Sequence, residues 1–211
     1  MRHLLLVTLM LIPAHATQLR ITVYDQVHLS KPVSRSVFLI LGTLLHASGI
    51  EIEVVAGDLA ATEAALIMAP ITPHPGMERQ ASCRARKDIA LEIVAPIPNS
   101  RRSSVLGMAV PLATYGLNAR VFNESVLDAA ARQNRDYALV LAHAIAHEIG
   151  HVLLRGRPHS RFGLMSSTWS DREFSWMSRS LMLFSREESE AMRETLSGAG
   201  CEPATSAEVL H

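Results

Sequence analysis

The sequence predicts an α+β fold in which a β-sheet with a backing helix is followed by one long apolar helix and a smaller C-terminal part. Three observations carry that expectation. Residues 19–24 and 50–55 alternate apolar and polar side chains with β-branched members, and residues 33–47 between them place apolar side chains at helical spacing. Residues 137–146 are apolar almost all round and begin a run too long for a strand, which suits a helix buried in a domain. Beyond residue 156 the pattern breaks into short segments rich in Ser, Asp and Gly, with one further helical stretch near the end.

Each element has local signals. Ser30-Lys31-Pro32 opens the first helix, with Ser30 as cap and Pro32 in the first turn, and Ser48-Gly49 closes it. The β-α-β order implies a crossover joining parallel strands. Residues 65–68 admit either a strand end or a short helix, and the proline-rich residues 70–76 form a loop. Residues 89–94 read as a third strand fenced by Pro96 and Pro98, and residues 105–110 and 119–122 as two more. Gly107 and Gly116 suit an edge where another backbone approaches closely. Arg101-Arg102 in the polar turn 100–104 reads as solvated. Residues 123–132 form a short helix or turn. The long helix runs from Asn134 or Asp136 to Leu154, Asp136 and Arg155 complement its dipole, and Gly156 and Pro158 stop it. Residues 166–171 are rich in capping side chains, and Trp169 and Trp176 are expected to pack the lower part rather than meet substrate. Ser185 and Glu188 form a capping box for a final helix over 187–196, ended by Gly198 and Gly200.

On the long helix stands His147-Glu148-Ile149-Gly150-His151. Positions four apart differ by about 40° around a helix axis and by one turn of rise, so His147 and His151 project side by side. Glu148, about 100° from His147, can still reach a water held at a shared ion. A catalytic zinc takes three protein ligands, neutral imidazoles at about 2.0–2.1 Å among them, and keeps one position open. His159, on the turn after the helix, is the third candidate. His143 lies on the same stripe a turn further back. Three equally spaced helix histidines cannot surround one tetrahedral ion, so His143 is expected in the core or in support of the ligands. His74 is a lone loop histidine without an evident partner.

With Gly163-Leu164-Met165 following, this block resembles the metzincin branch of zinc metallopeptidases, whose HExxHxxGxxH motif precedes a methionine-containing turn. The signature here is HEIGHxLL…HSxxGLM. The family glycine falls at Leu154 and its third histidine at Arg157, whereas Gly156 and His159 each come two residues later. The resemblance covers about twenty residues. It implies a zincin/metzincin-like fold: a mixed twisted β-sheet with a backing helix and an active-site helix, then a small C-terminal subdomain with the Met-turn and a final helix. It also implies Zn2+ on His147, His151 and His159, and Glu148 as general base towards a metal-activated water. Met165 would be an apolar floor that does not ligate, and a peptide or protein substrate would add to an edge strand around residues 105–115. Two alternatives stay open at this point. In a gluzincin-type peptidase, Glu187, Glu188 or Glu190 of the final helix would be the third ligand. An exported zinc-binding module without chemistry would need no Glu148.

Composition narrows the rest. Hydrophobic residues are 48%, charged residues 19% and the formal net charge is zero, which excludes the basic excess of a nucleic-acid binder and the make-up of a disordered chain. Arg2 and His3, the apolar residues 4–12 and Ala14-His15-Ala16 read as a signal peptide over 1–16, cleaved after Ala16. Its apolar run is too short to span a bilayer. The expected product is secreted or periplasmic, free of the membrane, and a single metallopeptidase-like domain over 17–211, with an upper part 17–155 and a lower part 156–211. Export makes a Cys83–Cys201 disulfide feasible, though sequence does not bring the two within bonding distance. Cys83 as a thiolate plug on the zinc is disfavoured, because it lies between strands and not in a propeptide. Substrate specificity and oligomeric state are not legible in the chain.

Overall fold

The computed structural model describes residues 17–57, 88–95, 105–112, 116–155 and 157–197. The expected signal peptide, the segments 65–68, 70–76 and 100–104, His74, Gly156, and both cysteines lie outside the described residues. Five strands form one sheet: β1 (Thr17–Asp25), β2 (Ile50–Ala56), β3 (Asp88–Val94), β4 (Gly107–Leu112) and β5 (Gly116–Phe122), in the order β2-β1-β3-β5-β4. The first four in that order run parallel, and β4 pairs antiparallel with β5 at the margin. The described residues also form five helices: α1 (Lys31–His46), α2 (Asn123–Arg132), α3 (Tyr137–Leu153), α4 (Asp171–Ser180) and α5 (Arg186–Ser197).

Period-two alternation sets the core face of the sheet. Leu19, Ile21 and Val23 of β1, Ile89, Leu91 and Ile93 of β3, and Ala119 and Val121 of β5 are all buried. Side chains between them face the other way and pair across the strands, Arg20 with Glu53 at 3.0 Å and Arg120 with Glu92 at 2.6 Å. Those pairs are partly solvated and add little, whereas each fully buried Leu or Ile contributes about 1.5–3 kcal/mol. Helix α1 packs over β2, α3 packs over β4 and β5, and the two helices pack against each other. The expected parallel β-α-β opening is therefore present.

Helix α3 is anchored where the sequence places its start. The Asp136 side chain accepts the Leu139 N–H at 2.9 Å as N-cap. The helix ends at Leu153 with Leu154 as its C-cap, and Arg155 beyond it lies in the left-handed region (φ 56°). Helix α4 is an element the sequence reading did not single out. Ser170 and Glu173 form its capping box, the same pattern that opens α5 with Ser185 and Glu188. Residues 123–132 settle as a helix. Among the described residues no helix is long and apolar enough to cross a membrane.

Candidate metal centre

Helix α3 delivers two imidazoles to one point because four residues bring the chain back to the same face. His147 Nε2 and His151 Nε2 lie 2.9 Å apart. The exposed His159, on the turn after the helix, brings its ring to 4.6 Å from that of His151 and 5.5 Å from that of His147, centroid to centroid. One ligating nitrogen from each of the three rings lies within 4.8 Å of the others, and they are the one such cluster of His, Cys, Asp or Glu among the described residues. Three nitrogens around a tetrahedral ion at 2.0–2.1 Å stand about 3.3 Å apart. No pair of these nitrogens need close by more than about 1.5 Å, which rotation of the exposed His159 ring can supply.

Hydrogen bonding fixes which nitrogens are free. His147 Nδ1–H donates to the Leu164 carbonyl at 2.7 Å, so its Nε2 carries a lone pair into the cluster. His151 Nε2 faces that lone pair, and coordination of one ion by both Nε2 atoms requires His151 to carry its proton on Nδ1. Burial lowers the pKa of His147, and burial followed by its two histidine neighbours lowers His151 to about 4. Both rings are thus neutral near pH 7, the form that binds metal.

Glu148 is 5% exposed, burial pushes its carboxyl up to about 8, and its Oε2 is buried without a hydrogen-bond partner. A buried, unpartnered carboxylate oxygen is expensive unless something outside the chain meets it, and a water held at an ion in the cluster is such a partner. This orphaned oxygen and the all-imidazole donor set fit a catalytic zinc. The room for Glu148 comes from Gly107 at the start of β4: a Cβ there would stand 2.7 Å from Glu148 Cγ, 2.8 Å from its Oε1 and 2.7 Å from the Arg120 carbonyl oxygen. The close approach expected at Gly107 is therefore made by a side chain as well as by a backbone.

Met165 is 2% exposed, and its thioether lies where a Cβ on Gly150 would go, with Phe184 Cε1 2.8 Å from that point. The structure thus seats Met165 under α3 one residue from His151. The turn holding it is closed by Ser160 N–H to the Met165 carbonyl at 2.9 Å and Ser166 N–H to the Gly163 carbonyl at 3.1 Å, with Gly163 at φ 85°. Two glutamates of the alternative ligand set are otherwise engaged. Glu188 accepts from Ser160 Oγ and from Ser185 N, Glu190 pairs with Arg186 at 2.9 Å, and Glu187 is exposed.

No family model matches the chain, and no curated protein matches it. Among solved structures, archaemetzincin from Methanopyrus kandleri is similar at 19% identity and a TM-score of 0.48, covering 89% of this chain and 99% of that one. The GM1-bound form of the ECX AB5 holotoxin is similar at 12% identity and a TM-score of 0.41, covering 86% of this chain and 80% of that one. Neither likeness is close enough to carry function, which rests on the chain's own residues.

Two features of the site escaped the sequence reading: the Leu164 carbonyl and the place of Trp169 beside it. Trp169 stands edge-on to His147 at 5.8 Å between ring centroids and donates Nε1–H to the Leu164 carbonyl at 3.3 Å, sharing the oxygen that orients His147. A backbone acceptor leaves no mark in sequence, though a tryptophan four residues beyond a candidate Met-turn was a usable signal. Trp176, expected in the core, is 41% exposed, because α4 turns Phe174 and Met177 inward instead. His143 is fully buried, donates to the Leu139 carbonyl at 2.8 Å and accepts the Met182 N–H at 3.2 Å. It supports the segment before α5 and does not join the cluster.

Proposed function

We propose that the chain is a zinc-dependent endopeptidase of metzincin-like architecture, exported by a signal peptide over 1–16 and acting on peptide or protein substrates. The observation that carries the reading is the convergence of His147, His151 and His159 within 4.8 Å, next along α3 from a buried carboxylate with an unpartnered oxygen. His147 and His151 would hold the ion from the rigid helix, His159 from the turn, with Met165 beneath as apolar support. When bound, zinc supplies a Lewis acid for the scissile carbonyl, lowers the pKa of a coordinated water towards about 7 and favours the ionised form of Glu148. Glu148 takes the proton of the attacking water and passes it to the departing amine, a task suited to a carboxyl that burial alone places near 8. The antiparallel margin strand β4 gives an extended peptide a backbone to pair with, and Gly107 on that strand packs directly on Glu148.

The test is metal quantification together with cleavage of a broad peptide library. Wild type and Glu148→Gln should each hold one zinc, and the variant should lose about 10²–10⁴-fold in rate. A loss below tenfold removes Glu148 from the role of base. A loaded wild type that cleaves nothing leaves a non-catalytic zinc module. Zinc content should fall in His159→Ala and persist in Glu187→Ala and Glu188→Ala; the reverse result would assign the third ligand to α5.

A further inference from the structure

A cationic and aromatic cluster lies beside the third histidine. Arg161 follows His159 by two residues, so their Cα atoms are at most about 7 Å apart. Its guanidinium carbon stands 5.7 Å from the centre of the Phe162 ring, and that of Arg172 stands 5.5 Å from the same ring and 5.9 Å from Trp176. Phe162 and Trp176 are 54% and 41% exposed. The two aromatics thus form an exposed rack that holds two guanidinium groups facing solvent.

Charge is uneven here in a chain that is neutral as a whole. Residues 155–172 carry Arg155, Arg157, Arg161 and Arg172, all exposed, against Asp171 alone, and Asp171 already accepts from Gln133 at 3.1 Å. Among the described residues none of these four arginines makes an ion pair. Two cations held against one ring repel each other, and a carboxylate drawn to them would relieve that repulsion. Stacking also restricts the guanidinium planes, so less freedom is lost when an anion arrives.

Building on the peptidase reading, we propose that Arg161, Phe162, Arg172 and Trp176 form a subsite that selects acidic side chains in the peptide substrate. The aromatic faces cover the apolar stem of a glutamate or aspartate, and the two guanidiniums receive its carboxylate. The anion is placed on the substrate and not on a lipid or a nucleic acid, because the cluster adjoins the turn that carries His159.

The test uses full-length Glu148→Gln, which binds without turning over, and three fluorescent decapeptides that differ only in carrying Glu, Gln or Lys at two positions. By anisotropy at low salt, the Glu peptide should bind about three- to tenfold more tightly than the Gln peptide and more tightly still than the Lys peptide. The gap should close near half-molar salt, because exposed charges are screened. Arg161→Ala/Arg172→Ala should bring the Glu-to-Gln ratio towards one, Arg172→Lys should keep part of it, and Arg35→Ala on α1 should keep all of it. In wild type the same preference should appear in KM more than in kcat. Equal binding of Glu and Gln peptides overturns the subsite, as does a preference that survives the double variant. Phosphatidylserine vesicles that bind the chain more tightly than the Glu peptide, with the same arginine dependence, would reassign the cluster to a membrane. Absence of zinc and of all cleavage would instead defeat the peptidase reading, and the binding comparison would still decide the subsite.

Discussion

Gly107→Ala is the sharpest probe of how the fold holds Glu148. The new Cβ would stand 2.7 Å from both Glu148 Cγ and the Arg120 carbonyl oxygen. Carbon contacts settle at about 3.5–4.0 Å, so roughly 0.8 Å or more must open up. The Arg120 oxygen belongs to β5, which is paired on both sides with β3 and β4, and gives way little. Strand β4 must lift or the glutamate must swing. Overpacking of this kind costs about 1–3 kcal/mol, and about 2 kcal/mol corresponds to a fall in Tm of about 4–8 °C for a chain of this size. A shift approaching 1 Å in the Glu148 side chain should lower kcat by up to about 10²-fold. Zinc content should not change, because the three histidines do not touch residue 107. In a Glu148→Ala background the same substitution should cost about 1 kcal/mol less, because one of its two obstacles is gone. Calorimetry, metal analysis and steady-state kinetics on the four proteins make the measurement. A Tm within a degree of wild type together with kcat within twofold would refute the reasoning.

Three further outcomes are expected. Gly150→Ala drives a Cβ into Met165 and Phe184, so it should lose about 1–3 kcal/mol in urea unfolding, and Met165→Ala should cost at least about 1 kcal/mol less in that background than in wild type; simple additivity would refute the contact. Burial lowers His143 to about 4 from an ordinary value of 6.5, so the unfolded chain takes up its proton first as pH falls. The stability tied to neutral His143 is complete above about pH 6.5 and is lost on descending to pH 4, by up to about 3 kcal/mol, and His143→Gln should flatten that part of the profile. An unchanged profile would show that the ring is not held neutral by the fold. Arg155→Gly relieves a left-handed residue at the end of α3 and should raise Tm by about 2–4 °C, less whatever the lost charge contributed near the helix end.

Strand alternation in residues 19–24 and 89–94 is legible because Leu19, Ile21 and Val23, and Ile89, Leu91 and Ile93, line one buried face; in residues 50–55 the alternation shows in the sequence although only Ile50 is buried and Val54 is exposed. The histidine pair was legible because helical periodicity converts a spacing of four into a shared direction. His159 could be read because Gly156 and Pro158 sit just before it. What stayed hidden depends on contacts between segments far apart in the chain. The Leu164 carbonyl on His147 spans 17 residues and the Met182 N–H on His143 spans 39, and neither involves a side-chain pattern. Helix α4 was missed although Ser170 and Glu173 carry the capping pattern recognised at Ser185 and Glu188. Its inward side chains, Glu173, Phe174 and Met177, are too few to mark an apolar helical stripe. The exposure of Trp176 depends on which face of that short helix meets the rest.

The two margins of the sheet differ in a way that bears on handling the protein. Strand β2 offers Glu51 and Glu53 along its length, paired with His46 and Arg20, and these charges discourage a second chain from aligning there. Strand β4, at the other margin among the described residues, runs from Gly107 to Leu112 without a single charged residue, and Pro111 is its one interruption to further pairing. Self-association at high concentration should therefore begin on the β4 side. Placing a lysine at Met108, whose side chain is 42% exposed, would guard that side at little cost to the core.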